Sequence, residues 1–317
     1  MNDSIEKSVY MIQSEMFDIR ENITDGPNLI INNELINIHR GNKELEIQLE
    51  EHGKKTNELE AQNKQLKEEK LELEKEIFSN PDIVKSMVSK KGSVLKFVSK
   101  ELQGNREIVL IAVRQSWLAI QYTSDELKNN REVVLTSVRR NGWALRYASK
   151  ELKNDKEIVL EAVRQYGKYL EHASDELKNN REIVLAAVLE YGRALEYASD
   201  DLRNNREMVL IAVRQHGVAL KYASEELRNN REIVLEAVQQ YGDALYHASN
   251  ELKKDRKIVL AAVQQRGWAL QYASEELKKD RKIVLAAVQQ DRYSLCYASD
   301  EFQNDPELNR VGCSATG

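Results

Sequence analysis

NREIVLAAVLEYGRALEYASDDLRN, residues 180–204, is followed without a gap by NREMVLIAVRQHGVALKYASEELRN, residues 205–229. The two stretches share Asn, Arg, Glu, Val, Leu, Ala, Gly and Ser at identical offsets. Extended in both directions, the frame gives nine 25-residue units, starting at Asn80, Asn105, Asn130, Asp155, Asn180, Asn205, Asn230, Asp255 and Asp280. A truncated tenth begins at Asp305. A fixed period of this size is the signature of stacked supersecondary units, each too small to close a core alone.

Each unit reads as two helices. The opening Asn or Asp accepts the free N–H groups of a first helical turn. Pro81 and Pro306 follow that cap in the first and last copies, where the missing N–H costs nothing. An acid comes next in most units (Glu182, for example), favourable at the positive end of the helix dipole, whereas Lys257 and Lys282 replace it late in the chain. Ile183, Val184, Ala187 and Val188 form one wide apolar face and Leu185 adds a second side, so neighbours must cover the helix on more than one side.

Gly142, Gly167, Gly192, Gly217, Gly242 and Gly267 are expected to end this helix in the left-handed conformation. Trp117 and Arg292 break the column and predict less regular turns there. A short second helix, ALEYAS, is anchored by Leu195 and Tyr197, and Ser199 caps one further turn whose leucine returns to the core. Ordering a residue costs about 1–2 kcal/mol, more than one unit can offset alone, so stacking supplies the stability. The expected fold is all-α: an α-solenoid of about nine 25-residue helix-turn-helix repeats behind an N-terminal coiled-coil helix.

The pattern N-[ND]-R-E-[IV]-V-L-x-A-V-x-x-x-G-x-A-L-x-[YH]-A-S-x-E-L-[KR] resembles the short helical repeat known as domain of unknown function 4116, over residues 80 to about 304. The resemblance implies a tandem-repeat helical protein. It brings no activity and no functional residues.

Ahead of the repeats a second rhythm runs at alternating spacings of four and three: Ile31, Leu35, Ile38, Asn42, Leu45, Leu49, His52, Thr56, Leu59, Asn63, Leu66, Lys70, Leu73 and Ile77. This is the seam of a left-handed coiled coil, with its upper part interrupted by Gly41 and Gly53. Leu59, Asn63, Leu66, Leu73 and Ile77 are the expected oligomerisation residues, and a polar Asn63 at a seam position favours a parallel homodimer. A hairpin or antiparallel bundle with Ile5, Val9, Ile12, Met16, Ile19 and Ile23, which precede a break at Gly26-Pro27, is the alternative. The expected organisation is an N-terminal helix (ordered or mobile) over 1–27, a stalk over 28–79, repeats over 80–304, and a half-repeat with a disordered tail over 305–317.

Composition agrees with long solvated helices: 31% of residues are charged and 6% aromatic, with 13 Gly and 3 Pro in 317. The net charge of −5 offers no overall attraction to nucleic acid or an anionic membrane. No apolar run is long enough to cross a bilayer, and the first residues lack a secretory pattern. Cys296 and Cys313 sit too close together to staple the fold, so a reducing, cytoplasmic setting is expected for a soluble protein. No phosphate-binding loop, zinc motif or nucleophile constellation occurs, so neither an enzyme nor a cofactor is expected. His172 and His247 stand in a tyrosine column and read as packing substitutions.

Repeated columns read as core, and variable columns flanking the glycine read as outward-facing. Aromatic and Arg side chains are the usual binding anchors, which makes Trp143, Tyr166, Tyr191, Arg193, Tyr241 and Trp268 the candidate partner-binding residues. The expected function is a protein-interaction scaffold, oligomerised by the stalk. A structural component of a larger assembly (fibre, particle or cytoskeletal element) is the first alternative, and an RNA-binding repeat protein the second. Nucleic acid is disfavoured because acids precede the KKDRK runs at 253–257 and 278–282.

Overall fold

The opening residue of each unit caps a helix. The Asn180 carboxamide oxygen accepts the Ile183 N–H at 3.2 Å, and the Asp255 carboxylate accepts those of Lys257 and Ile258 at 2.8 and 3.2 Å. In the computed structural model, which describes residues 29–308, ten-residue helices start behind these caps, from Pro81–Lys90 to Arg281–Gln290. No strand occurs among the described residues. Asp305 caps the start of the truncated tenth unit in the same way, accepting from Glu307 and Leu308 at 2.8 and 3.3 Å. The N-terminal helix expected over 1–27 and the tail from residue 309, Cys313 included, lie outside the described residues.

The second element of the unit departs from expectation. Tyr191, after the first helix, is extended (φ −147°, ψ 98°), and Gly192–Tyr197 is a six-residue 3-10 helix, not an α-helix. So short a segment gains little from an i→i+4 ladder, and 3-10 geometry is used in pieces of this kind. It carries Ala194 and Leu195 into full burial. Trp117–Tyr122 and Arg292–Tyr297 form 3-10 helices of the same length, so the irregularity expected at Trp117 and Arg292 is absent.

The glycine column also has a different cause. None of its members adopts a left-handed backbone; they open the 3-10 helix rather than close the first helix. Space demands them. A methyl group at Gly192 would stand 2.6 Å from the carbonyl oxygen of Ala212 in the next unit, and one at Gly242 2.5 Å from that of Ala262.

Within a unit the first helix buries Ile183, Val184, Ala187 and Val188. The third segment, Asp200–Arg203, buries Leu202 behind the Ser199 cap, whose Oγ accepts the Leu202 N–H at 3.3 Å. Joints between units repeat as faithfully as the core. The Ser199 N–H donates to the Lys178 carbonyl at 2.9 Å, and its hydroxyl donates to Asn179 Oδ1 at 2.5 Å. At the glycine end, Gln265 Oε1 of one unit accepts the Gly242 N–H of the unit before it at 2.5 Å.

An exposed ion-pair ladder runs from unit to unit as well. Arg206 meets Glu232, while Arg231, Arg256 and Arg281 reach the cap carboxylates Asp255, Asp280 and Asp305 at 2.7, 2.8 and 2.6 Å. The arginine bonds hold these three aspartates below the usual carboxylate range. A carboxylate whose folded pKa lies below its unfolded value contributes stability above about pH 4, lost as pH falls through the folded value. The thermal midpoint should therefore hold from pH 7 to 5 and drop below about pH 4. Asp255→Asn with Asp280→Asn keeps the caps, as Asn does in other units, but should flatten that acid limb. An unchanged limb would remove the ladder from the account.

The stalk is one helix, Leu29–Ser79, which runs unbroken through Gly41 and Gly53. The expected interruption is not there, because a single glycine weakens a helix by only about 1 kcal/mol. The chain divides into compact units at Leu73/Glu74, rather than at Ser79/Asn80. The reason is chemical. Phe78 packs against the repeat core and lies 5.9 Å from the Phe97 ring. Its carbonyl accepts the Ser99 N–H at 3.0 Å, just as the Gln103 carbonyl accepts that of Ser124 at 3.1 Å. The last turn of the stalk helix thus occupies the place of a preceding unit's third segment.

Candidate interaction surface

The columns beside the glycine vary because they lie at the rim of the joints, where side chains of successive units meet. Trp143 follows Gly142 on a 3-10 helix and is half-buried. Its ring stands edge-on to Tyr169 at 5.8 Å and to His172 at 5.1 Å, and the Arg146 guanidinium lies 5.0 Å from its centroid. Tyr166 meets Tyr169 at 5.5 Å and Tyr191 at 5.1 Å. The structure therefore brings three of the six candidates, Trp143, Tyr166 and Tyr191, into one aromatic cluster.

Tyr169 is the residue that joins them, and the sequence reading passed over it. It stands in a column where other units carry buried alanines such as Ala144 and Ala194. A large ring in a small-residue column was the signal available. The other candidates have local partners of their own. An Arg193 Nη donates to the Tyr222 hydroxyl at 3.4 Å. The Tyr241 hydroxyl accepts from Arg266 at 3.4 Å, whose guanidinium also pairs with Asp243 at 2.7 Å. Trp268 Nε1 donates to Asp291 at 2.7 Å. Tyr246 and Tyr293, at 58% and 64% exposure, are freer than any of the six.

Between third segments of adjacent units the surface opens into shallow grooves. One is floored by Tyr222 and walled by Arg203 and Arg228; its equivalent three units on holds Tyr297, Lys278 and Cys296. Among the described residues no three His, Cys, Asp or Glu side chains converge as a metal site.

The repeats match the family described as Domain of unknown function (DUF4116) over residues 80–128, 130–178, 155–203, 180–228, 205–253 and 255–303, each match spanning two consecutive units. The chain belongs to this family. Neither the curated proteins nor the solved structures compared with it give a match. No helix among the described residues is long and apolar enough to cross a membrane.

In this DUF4116 array Tyr222 and Tyr297, three units apart in one column, line the two grooves. Burial, with help from Glu171 and Glu196, pushes the Tyr197 hydroxyl up to about 12. Burial holds His172 below the ordinary imidazole range, against Glu171 at 3.2 Å and together with Arg146, Lys153 and Lys178. His247 is held down by burial and by Lys221, Arg228 and Lys253. On the stalk, Leu59, Leu66 and Leu73 are 52%, 61% and 58% exposed, a seam left open among the described residues. Ile77, on the last turn, is 37% exposed, and its carbonyl accepts the Asn80 N–H as that of Leu102 accepts Asn105's. It stands where the repeats place their leucine.

Proposed function

We propose that the protein is a non-catalytic scaffold that binds other proteins along the variable rim of its repeats and is oligomerised by its stalk. The observation that carries this reading is the cluster of Trp143, Tyr169, Tyr166 and Tyr191. Four aromatic side chains from adjacent units meet at the rim of an array whose first helix and six-residue 3-10 helix recur from unit to unit. Aromatic anchors on a rigid support bind at low conformational cost. An intracellular, cytoplasmic setting belongs to the same proposal, and the free, exposed Cys296 suits a reducing compartment.

Capture with the full chain tests it. Proteins retained by the wild type should be lost with Trp143→Ala/Tyr191→Ala, at unchanged helical content, and kept with Tyr293→Ala. Retention indifferent to the cluster would overturn the choice of face, and the absence of any retained protein would overturn the reading.

A further inference from the structure

The lysines and arginines that end the third segments form a column of cations along the grooves, and most are neutralised at source. Lys128 pairs with Asp125 at 3.0 Å and Lys278 with Glu275 at 2.8 Å, each three residues back. Lys153 and Lys253 have no such acid, because Lys150 and Asn250 stand in its place. Both are half-buried, and neither meets a carboxylate within ion-pair reach among the described residues.

Repeat for repeat, Lys153 matches Arg203 and Lys253 matches Arg228 of the Tyr222 groove, and His172 and His247 take the place of its tyrosine. Each histidine lies within electrostatic reach of a cation from the 3-10 helix of the unit before it, Arg146 for His172 and Lys221 for His247, and packs edge-on to an aromatic ring, Trp143 at 5.1 Å and Tyr246 at 4.9 Å. The third-segment cations on either side act on it as well, Lys153 and Lys178 at His172, Arg228 and Lys253 at His247. Carboxylates at the first groove are Glu171 and Asp175, the latter 3.8 Å from Lys178; at the second, Glu225 lies 3.9 Å from Arg228. Arg228 Nε is buried without a hydrogen-bond partner. Aromatic walls complete both sites: Trp143 under Arg146, and Tyr246, whose ring centre lies 5.6 Å from the Lys253 ammonium.

Three cations within electrostatic reach of one imidazole, beside an aromatic wall, are chemistry for an anionic group on an organic chain. We propose that the grooves at His172 and His247 are paired anion-binding subsites for one acidic protein segment, each taking a carboxylate or phosphoryl group. The subsites lie three units apart, on the order of 25–30 Å at about 8–10 Å per packed helix. An extended segment of roughly eight or nine residues spans that interval. A polynucleotide fits less well, since acids beside the intervening cations, such as Asp200 with Arg203, would oppose a continuous line of phosphates. The inference rests on the scaffold reading for its protein partner, while the subsites themselves are tested with small anions.

The histidine ring signals of the full chain are followed by NMR in inorganic phosphate and in acetate, against chloride of equal ionic strength. A bound anion favours the imidazolium, so His172 and His247 should titrate at higher pH in phosphate or acetate. Arg146→Gln should abolish the shift at His172 alone and Lys221→Gln that at His247 alone, while Lys128→Gln changes neither. A shift in phosphate only assigns the phosphoryl source; a shift in both admits carboxylates. An Asp/Glu-rich or phosphoserine peptide should then bind at least about tenfold more weakly to the double variant, given the loss of one charge-assisted contact per site. Shifts no larger than in chloride, shifts that survive the two variants, or displacement of the peptide by single-stranded RNA at lower concentration would overturn the proposal. Failure of Trp143-dependent capture with intact anion shifts would sink the scaffold face and leave the subsites standing.

Discussion

Gly192→Val is expected to lower the stability of the repeat array by about 3 kcal/mol, at the top of the range for overpacking. The upper end applies because the obstacle is backbone. The first carbon of the new side chain would meet the Ala212 carbonyl at 2.6 Å, and this oxygen belongs to a helix packed on its other side by the following unit. Relief requires two units to separate, which would also strain the bond between the Ser224 N–H and the Arg203 carbonyl. Because neighbours stabilise one another, damage at a central joint should lower the whole urea transition rather than fray one end. Gly53→Ala is the contrast. Nothing lies within 4 Å of a methyl group there, and the helix should gain about 0.5–1 kcal/mol. Equal effects from the two substitutions would show that the glycine column answers to something other than the approach of the next unit.

The second large effect concerns assembly. Full-length protein should scatter light as twice its 36.5 kDa chain mass, and Leu66→Glu with Leu73→Glu should return it to the single-chain value. Both leucines are more than half exposed on one side of a 51-residue helix, a heavy burden of apolar surface unless a second copy covers it. Asn63 at a core position favours two strands in register at some cost in stability. Asn63→Leu should accordingly raise the melting temperature of the assembly while broadening its mass distribution. The repeat region should keep its helical content in the glutamate variant, since Leu66 and Leu73 precede the compact unit that begins at Glu74. A wild-type protein at single-chain mass across concentrations would end the dimer proposal.

The parts of the fold legible in the sequence were those governed by local rules. Cap residues, the two flanking prolines and the apolar columns marked where the first helices begin and what they bury, and Asn180, Ile183 and Leu195 behave as expected. What stayed hidden depended on neighbours distant in sequence. Glycine after a helix suggested a backbone conformation, whereas its cause is an oxygen twenty residues away. The same limit applies to the surface. Variable columns were taken to face outward, yet Trp143, Tyr191 and Tyr241 are half-buried because side chains of consecutive units meet at the rim, rings for the first two and the Arg266 guanidinium for Tyr241. Tyr169 and the unneutralised Lys153 carried signals of absence, a missing alanine and a missing acid. Such signals stand out only once the column's partner is known in space.

The junction of Ser99 with Phe78 is chemically the same as that of Ser124 with Gln103 and of Ser299 with Lys278. A cassette of 25 residues can therefore be excised or duplicated between Asn105 and Asp255 without leaving either cut face unsatisfied. Tract length becomes a quantity that recombination can adjust in whole steps, with the spacing between distant recognition points changed and neither end of the tract redesigned.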